Sequence, residues 1–369
     1  MSDTVSTVAL PSLDDKLDAA RRASIVLATT ASGPKDAGLE AIAAAVESGA
    51  ARILPANELD IANGRENGLS AGLQDRLRLD PARLQGLADA VRQIAALPDP
   101  VGEVVRGSTL PNGLLLSQVR VPFGVIGAIY EARPNVTIDI AALALKSGNA
   151  VVLRGGRAAS NTNRVLVELL QEALESVGLP AESVQTIDEF GREGGTALMQ
   201  ARGKVDVLIP RGSAELIDSV VRDSKVPVIE TGAGVVHLFL DESADAQMAA
   251  DIAVNAKVQR PSVCNALETL LVDASSAERL LPPVLSALRQ QGVTLHADER
   301  ARAIFPDSVP VADEDWSTEH MSLDLSVGVV DDLDAALAHI RRYSTHHTET
   351  IVTNDLARAE RFLAEVDSA

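Results

Sequence analysis

From Phe123 onward the chain alternates short apolar runs with amphipathic segments of helical period, and no other feature constrains its fold as much. Apolar runs at 125–129, 150–153, 205–209, 227–229 and 235–240 read as strands. Helical spacing lies between them near 138–146, 161–177 and 214–222. A second series follows: helix 244–258, strand 267–272, helix 276–290, strands 293–295 and 324–330, helix 333–341, strand 350–352 and helix 356–364. Continuous apolar strands joined by helical crossovers build parallel βαβ units, whose strands are covered on both faces. The first hundred residues read as helices, broken at Gly33-Pro34, Asn63-Gly64 and Asn67-Gly68 and ended by Pro98-Asp99-Pro100. Between the two regions, β-like runs at 104–105 and 114–121 flank Pro111-Asn112-Gly113. This is a hairpin signal, because Asn-Gly supplies the positive φ angles of a tight turn. A lone hairpin is marginal in water, so it is expected to join another sheet, in a partner subunit. The expected fold class is α/β, with two parallel-sheet lobes, a helical N-terminal part and an inserted hairpin.

Composition narrows the function. With 369 residues, 46% of them hydrophobic, the chain can build two or three cores. Aromatic residues make up only 2%, which argues against stacking on nucleobases. Its 33 Lys and Arg against 52 Asp and Glu give a net charge of −19, repelled by nucleic acid and by anionic membranes. An anionic substrate must therefore be held by a few local cations and backbone N–H groups. The single cysteine, Cys264, permits no intrachain disulfide and points to a reducing compartment. Met1 to Leu10 lack the basic start and apolar run of a signal peptide, and no apolar stretch is long enough to span a bilayer, so a cytoplasmic protein is expected.

Several motifs have two readings each. Gly232-Ala233-Gly234 follows a predicted strand, but His237 replaces the third glycine of a dinucleotide fingerprint and a β-like run follows, which excludes a Rossmann turn. No Walker loop, His-Glu-x-x-His or Cys-x-x-Cys is present, so no metal is expected. Arg154-Gly155-Gly156-Arg157 closes a buried strand ahead of a helix. The glycines would admit a ligand close to the backbone and the arginines would grip phosphate; the same residues also read as an ordinary βα turn. Pro210-Arg211-Gly212-Ser213 repeats the pattern, with Ser213 either presenting a helix N-terminus to an anion or capping the helix. Cys264, in a loop after a helix, is a potential nucleophile with Lys257 and Arg260 as nearby cations, or else a small core residue. Asn135 can cap a helix or offer its amide to an oxyanion. Glu230 can act as a base near the thiol or sit solvated, and His339, His346 and His347 read as a surface loop.

The segments 121–137, 255–266 and 330–351 together resemble the gamma-glutamyl phosphate reductases (glutamate-5-semialdehyde dehydrogenases), relatives of the broader aldehyde dehydrogenases. The resemblance covers essentially the whole chain. It implies an aldehyde-dehydrogenase-like fold with an NADP-binding domain at 1–103 and 122–230, an oligomerisation hairpin at 104–121 and a catalytic domain at 231–369. It implies NADPH-dependent reduction of L-glutamyl 5-phosphate to L-glutamate 5-semialdehyde in proline biosynthesis, with a glutamate 5-kinase as pathway neighbour and a homo-oligomeric assembly. By matching position, Cys264 is the nucleophile, Asn135 the oxyanion amide and Glu230 the counterpart of the base of hydrolytic relatives. Arg154, Gly155, Gly156 and Arg157 fall at the ribose and 2′-phosphate end, Gly212 and Ser213 at the pyrophosphate turn, Glu319 at the nicotinamide ribose, and Arg260 beside the substrate. Family members continue for several tens of residues past the last helix here. The C-terminal part of the family fold is therefore expected to be absent, with weaker assembly as the consequence.

Overall fold

The computed structural model describes residues 11–131, 133–230 and 234–368. By internal contacts the chain divides into two compact units, with the division between Glu230 and Thr231.

In the first unit, helices at Leu13–Leu27, Ser32–Ser48, Ala50–Glu66, Ala71–Leu77 and Pro81–Ala96 precede a hairpin of β1 (Val104–Thr109) and β2 (Leu115–Val119). β1 and β2 pair antiparallel, and Gly113, at φ +85°, supplies the turn conformation that Asn112-Gly113 predicts. Every residue of both strands is exposed, with Leu115, and Val121 just past β2, each 78% accessible. An apolar two-stranded ribbon with neither face covered lacks the burial that stabilises a sheet.

The sheet proper has β3 (Val125–Tyr130), β4 (Ala150–Arg154), β5 (Val184–Thr186) and β6 (Val207–Arg211), all parallel in the order β5-β4-β3-β6. β3 is buried throughout, as its unbroken apolar run requires. Two side-chain clusters cover the faces: one with Ile138, Leu145, Leu166 and Leu170 from the helices Pro134–Lys146 and Ser160–Ser176, the other with Leu17, Leu198 and Val220. The segment 227–229 is not a strand: Val228 forms a single parallel bridge to Leu208, and Pro227 has no N–H to extend a ladder. β5 and the helix Gly191–Gln200 escape the sequence pattern, the first because it has three residues, the second because Gly191, Gly194 and Gly195 interrupt its helical signal.

The second unit holds β7 (Val236–Leu240), β8 (Leu267–Asp273), β9 (Thr294–Ala297), β10 (Val309–Pro310), β11 (Asp324–Val330) and β12 (Glu349–Val352) in one parallel sheet ordered β10-β9-β11-β8-β7-β12. The helices Ala246–Val258 and Ala277–Gln290 pack on one face with β8 and β11 beneath them; Leu333–Tyr343 and Leu356–Glu365 join the core around Phe239 and Phe362. The two-residue β10 and the short helix Glu299–Ile304 are too brief for periodicity to reveal. Among the described residues, no helix is long and apolar enough to cross a membrane.

Candidate active site

In the first unit the polar residues gather at the carboxyl ends of β3, β4 and β6, where open parallel sheets bind ligands. The chain crosses from β3 to β4 on one side and returns to β6 on the other, so β3 and β6 flank the switch point. There Ser213 Oγ donates to Glu131 Oε1 at 2.7 Å, and a Cβ on Gly212 would meet the Glu131 carboxyl carbon at 2.8 Å. Ser213 holds the N-cap position of the helix Ala214–Asp223, yet its side chain makes no capping bond. The capping reading of Ser213 therefore fails, and the first N–H groups of that helix keep their capacity for an anion. Glu131, the residue that takes the Ser213 hydroxyl, carries no signal in the sequence beyond its place at a strand end.

Arg154 ends β4 half-buried, and its Nε is buried without a hydrogen-bond partner. Arg157, exposed, opens a short 3-10 turn just beyond. Both line a groove of about 1220 Å³ with Gly155, Lys16, Arg164 and Arg192. The Gly155 N–H is not free for a ligand: it donates to Asp188 Oδ1 at 2.6 Å, and a Cβ there would lie 2.1 Å from Asn163 Nδ2. Glycine at 155 is thus required by packing rather than by close approach of a ligand. Gly156 accepts from the Ala159 N–H and is not among the groove's lining residues. Asp188 also accepts from Asn163, Asn163 accepts from Thr137, and Thr137 shares a 2.7 Å hydrogen bond with the Tyr130 hydroxyl. This network joins the ends of β3 and β4 to the two helices behind them. Burial raises the Asp188 carboxyl above its ordinary range and keeps the Tyr130 phenol protonated.

Asn135 lies in the first turn of the helix Pro134–Lys146, but the N-cap is Arg133, so Asn135 does not cap. Its Nδ2 donates to Asp139 Oδ2 at 3.2 Å, and burial raises Asp139. Glu230 is exposed at the end of the first unit, and no strand precedes it.

In the second unit Cys264 is half-buried in the loop between the helix Ala246–Val258 and β8. Hydrogen bonds from Val263 N to Arg260 O and from Ala266 N to Val263 O fold the loop into successive turns. Gly234 lies directly against it: a Cβ there would sit 1.6 Å from the Cys264 carbonyl oxygen. The glycine of the rejected dinucleotide motif thus has a different use, as a seat for the backbone of the thiol loop. Gly234→Ala must displace that backbone; the expected result is a destabilisation of about 1–3 kcal/mol and a turnover loss of roughly 10²-fold, read by thermal melting and steady-state kinetics. Parental turnover from Gly234→Ala would remove this contact from the positioning of the thiol.

Lys257 is not a free cation beside Cys264. Its Nζ donates to Glu268 Oε2 at 2.7 Å, with both side chains fully buried. Burial, with a smaller contribution from the Glu319 carboxylate, pushes the Glu268 carboxyl up to about 7 against the attraction of Lys257. Glu319 is half-buried and Arg260 is exposed, already engaged with neighbours. His339 departs from the surface-loop expectation: it belongs to the helix Leu333–Tyr343 and packs edge-on against Trp316 and His237. Burial and the adjacent His237 lower it to about 3, so it is neutral at physiological pH.

The profile of the aldehyde dehydrogenase family matches residues 18–303. A gamma-glutamyl phosphate reductase of Leifsonia xyli subsp. xyli is 68% identical over 97% of this chain and 85% of its own length. One from Clavibacter michiganensis subsp. michiganensis is 65% identical over 99% and 85%. The crystal structure of gamma-glutamyl phosphate reductase from Thermotoga maritima superposes with a TM-score of 0.91 at 40% identity, covering 97% of this chain and 86% of that one. The chain belongs to the gamma-glutamyl phosphate reductases, within the aldehyde dehydrogenase family. It is an oxidoreductase acting on aldehyde groups. Membership implies a nicotinamide cofactor, and the first unit fits an anionic nucleotide: Arg154 carries a buried N–H without a partner, in a groove where Arg157, Arg164 and Arg192 add cations.

Proposed function

We propose that the chain reduces L-glutamyl 5-phosphate to L-glutamate 5-semialdehyde with NADPH, releasing phosphate through a thioester on Cys264, in the proline pathway of the cytoplasm. The observation that carries this reading is the 68% identity to a gamma-glutamyl phosphate reductase over nearly the full chain. When bound, a nicotinamide cofactor would supply the hydride that the acyl carbon accepts. The protein's own part begins with the Cys264 thiolate, which attacks that carbon; the S–C bond forms as the C–O bond to phosphate breaks, and phosphate departs with the electron pair. Asn135 Nδ2 and the Cys264 backbone N–H donate to the oxyanion. Arg154 and Arg157 would hold the 2′-phosphate of the bound cofactor, the helix that follows Gly212-Ser213 its pyrophosphate, and Glu319 its nicotinamide ribose. Arg260 attends the substrate phosphate. Glu230 has no water to activate in this cycle, since hydrolysis would waste the acyl group, and its exposed position agrees with a minor role. A glutamate 5-kinase would supply the substrate, and the uncovered hairpin would pair with another copy.

The reverse reaction is the practical assay. Reduction of NADP⁺ by glutamate semialdehyde should depend on inorganic phosphate. Equal rates without phosphate would instead make the chain a hydrolytic aldehyde dehydrogenase.

A further inference from the structure

The loop carrying Cys264 is closed at its base by one buried ion pair. Lys257 lies in the last turn of the helix Ala246–Val258, and Glu268 is the second residue of β8, so their 2.7 Å contact pins both ends of the intervening loop. The pair is fully buried, although two apolar side chains would fill the same space without the cost of desolvating two ions. A second observation gives this polar choice a use. The other carboxylate oxygen, Glu268 Oε1, accepts the Met321 N–H at 3.2 Å. Met321 has φ +55°, a left-handed conformation that a non-glycine residue holds only when its surroundings impose it. It stands two residues from Glu319.

We infer that Glu268 is a positioning residue: one oxygen holds the Cys264 loop through Lys257, the other holds the left-handed turn at Met321, and together they set the nucleophile and Glu319 at a fixed separation. The roles of Cys264 and Glu319 rest on the function proposed above; the bridge itself rests on the geometry. Flanking groups reinforce it. His320 stacks on His296 at 5.4 Å, and His296 in turn bonds Asp324 at the start of β11, which gives the 319–321 segment a further tie to the sheet. A pair serving only the core would leave the two segments independent, whereas a bridge makes each respond to damage at the other.

Two variants test this. Lys257→Met/Glu268→Leu removes both charges at similar volume and leaves no buried ion unpaired. Met321→Val leaves the pair intact but puts a β-branched residue where φ is positive, breaking only the Met321 contact. Both should melt close to the parent, lose turnover by roughly 10²-fold with a raised KM for NADP⁺, and show faster amide hydrogen exchange in both 259–266 and 319–322. If the double variant does not melt cooperatively, Met321→Val alone decides. Loosening of 319–322 with unchanged exchange in 259–266, or parental kinetics in a folded variant, overturns the bridge. An inactive parent would defeat the proposed function, while the exchange comparison would still decide the bridge.

Discussion

Cys264→Ser should fold and melt like the parent yet turn over on the order of 10⁴-fold more slowly or worse, the scale on which loss of a covalent nucleophile is felt. The hydroxyl is smaller than the thiol and the side chain is only half-buried, so nothing is overpacked and the loop has no reason to rearrange. Reactivity differs greatly, because a serine hydroxyl needs an adjacent base at neutral pH. Lys257 is committed to Glu268 and cannot serve as that base. Because this is the chain's single cysteine, the comparison has no background thiol. Turnover and thermal melting on the two proteins check it; a variant retaining a tenth of the activity would take Cys264 out of the mechanism.

Arg154→Ala/Arg157→Ala should bind NADPH far more weakly while changing NADH affinity little. A charge-assisted hydrogen bond contributes about 1.5–3 kcal/mol, so each arginine that reads the 2′-phosphate is expected to contribute roughly 10–100-fold. Arg154 is the stronger half of this expectation, since its buried Nε has no protein partner to lose. Fluorescence titration with both nucleotides measures the difference. Equal weakening of the two would show that these arginines do not read the 2′-phosphate.

The parallel strands were legible because burial on both faces leaves unbroken apolar runs: β3, β8 and β11 fall where periodicity puts them, within a residue or two. The hairpin was legible from two β-like runs flanking Asn112-Gly113, where Gly113 takes φ +85°. What escaped was short, glycine-interrupted or dependent on distant residues. β5 gains strand geometry only by pairing with β4, and the helix Gly191–Gln200 forms despite three glycines. The sites show the same divide. Arg154 and Arg157 stand out in the sequence as cations flanking two glycines at a strand end, a pattern that also fits an ordinary βα turn; the fold brings both to one groove. The uses of Gly155 and Gly234 could not be found there, because each is defined by an atom far away in sequence: Asn163 for the first, the Cys264 carbonyl for the second. The sequence offers Lys257 as a cation near Cys264 and gives Glu268 no role; only the fold buries the two against each other.

In the proposed cycle an acyl group is carried on Cys264 and released to phosphate rather than to water. Rapid mixing of the enzyme with glutamate semialdehyde and NADP⁺, without phosphate, tests it most directly. One equivalent of NADPH per chain should form in a burst and then nearly stop, with steady turnover resuming when phosphate is added and no burst from Cys264→Ser. Steady NADPH formation without phosphate, or an undiminished burst from the serine variant, would contradict it.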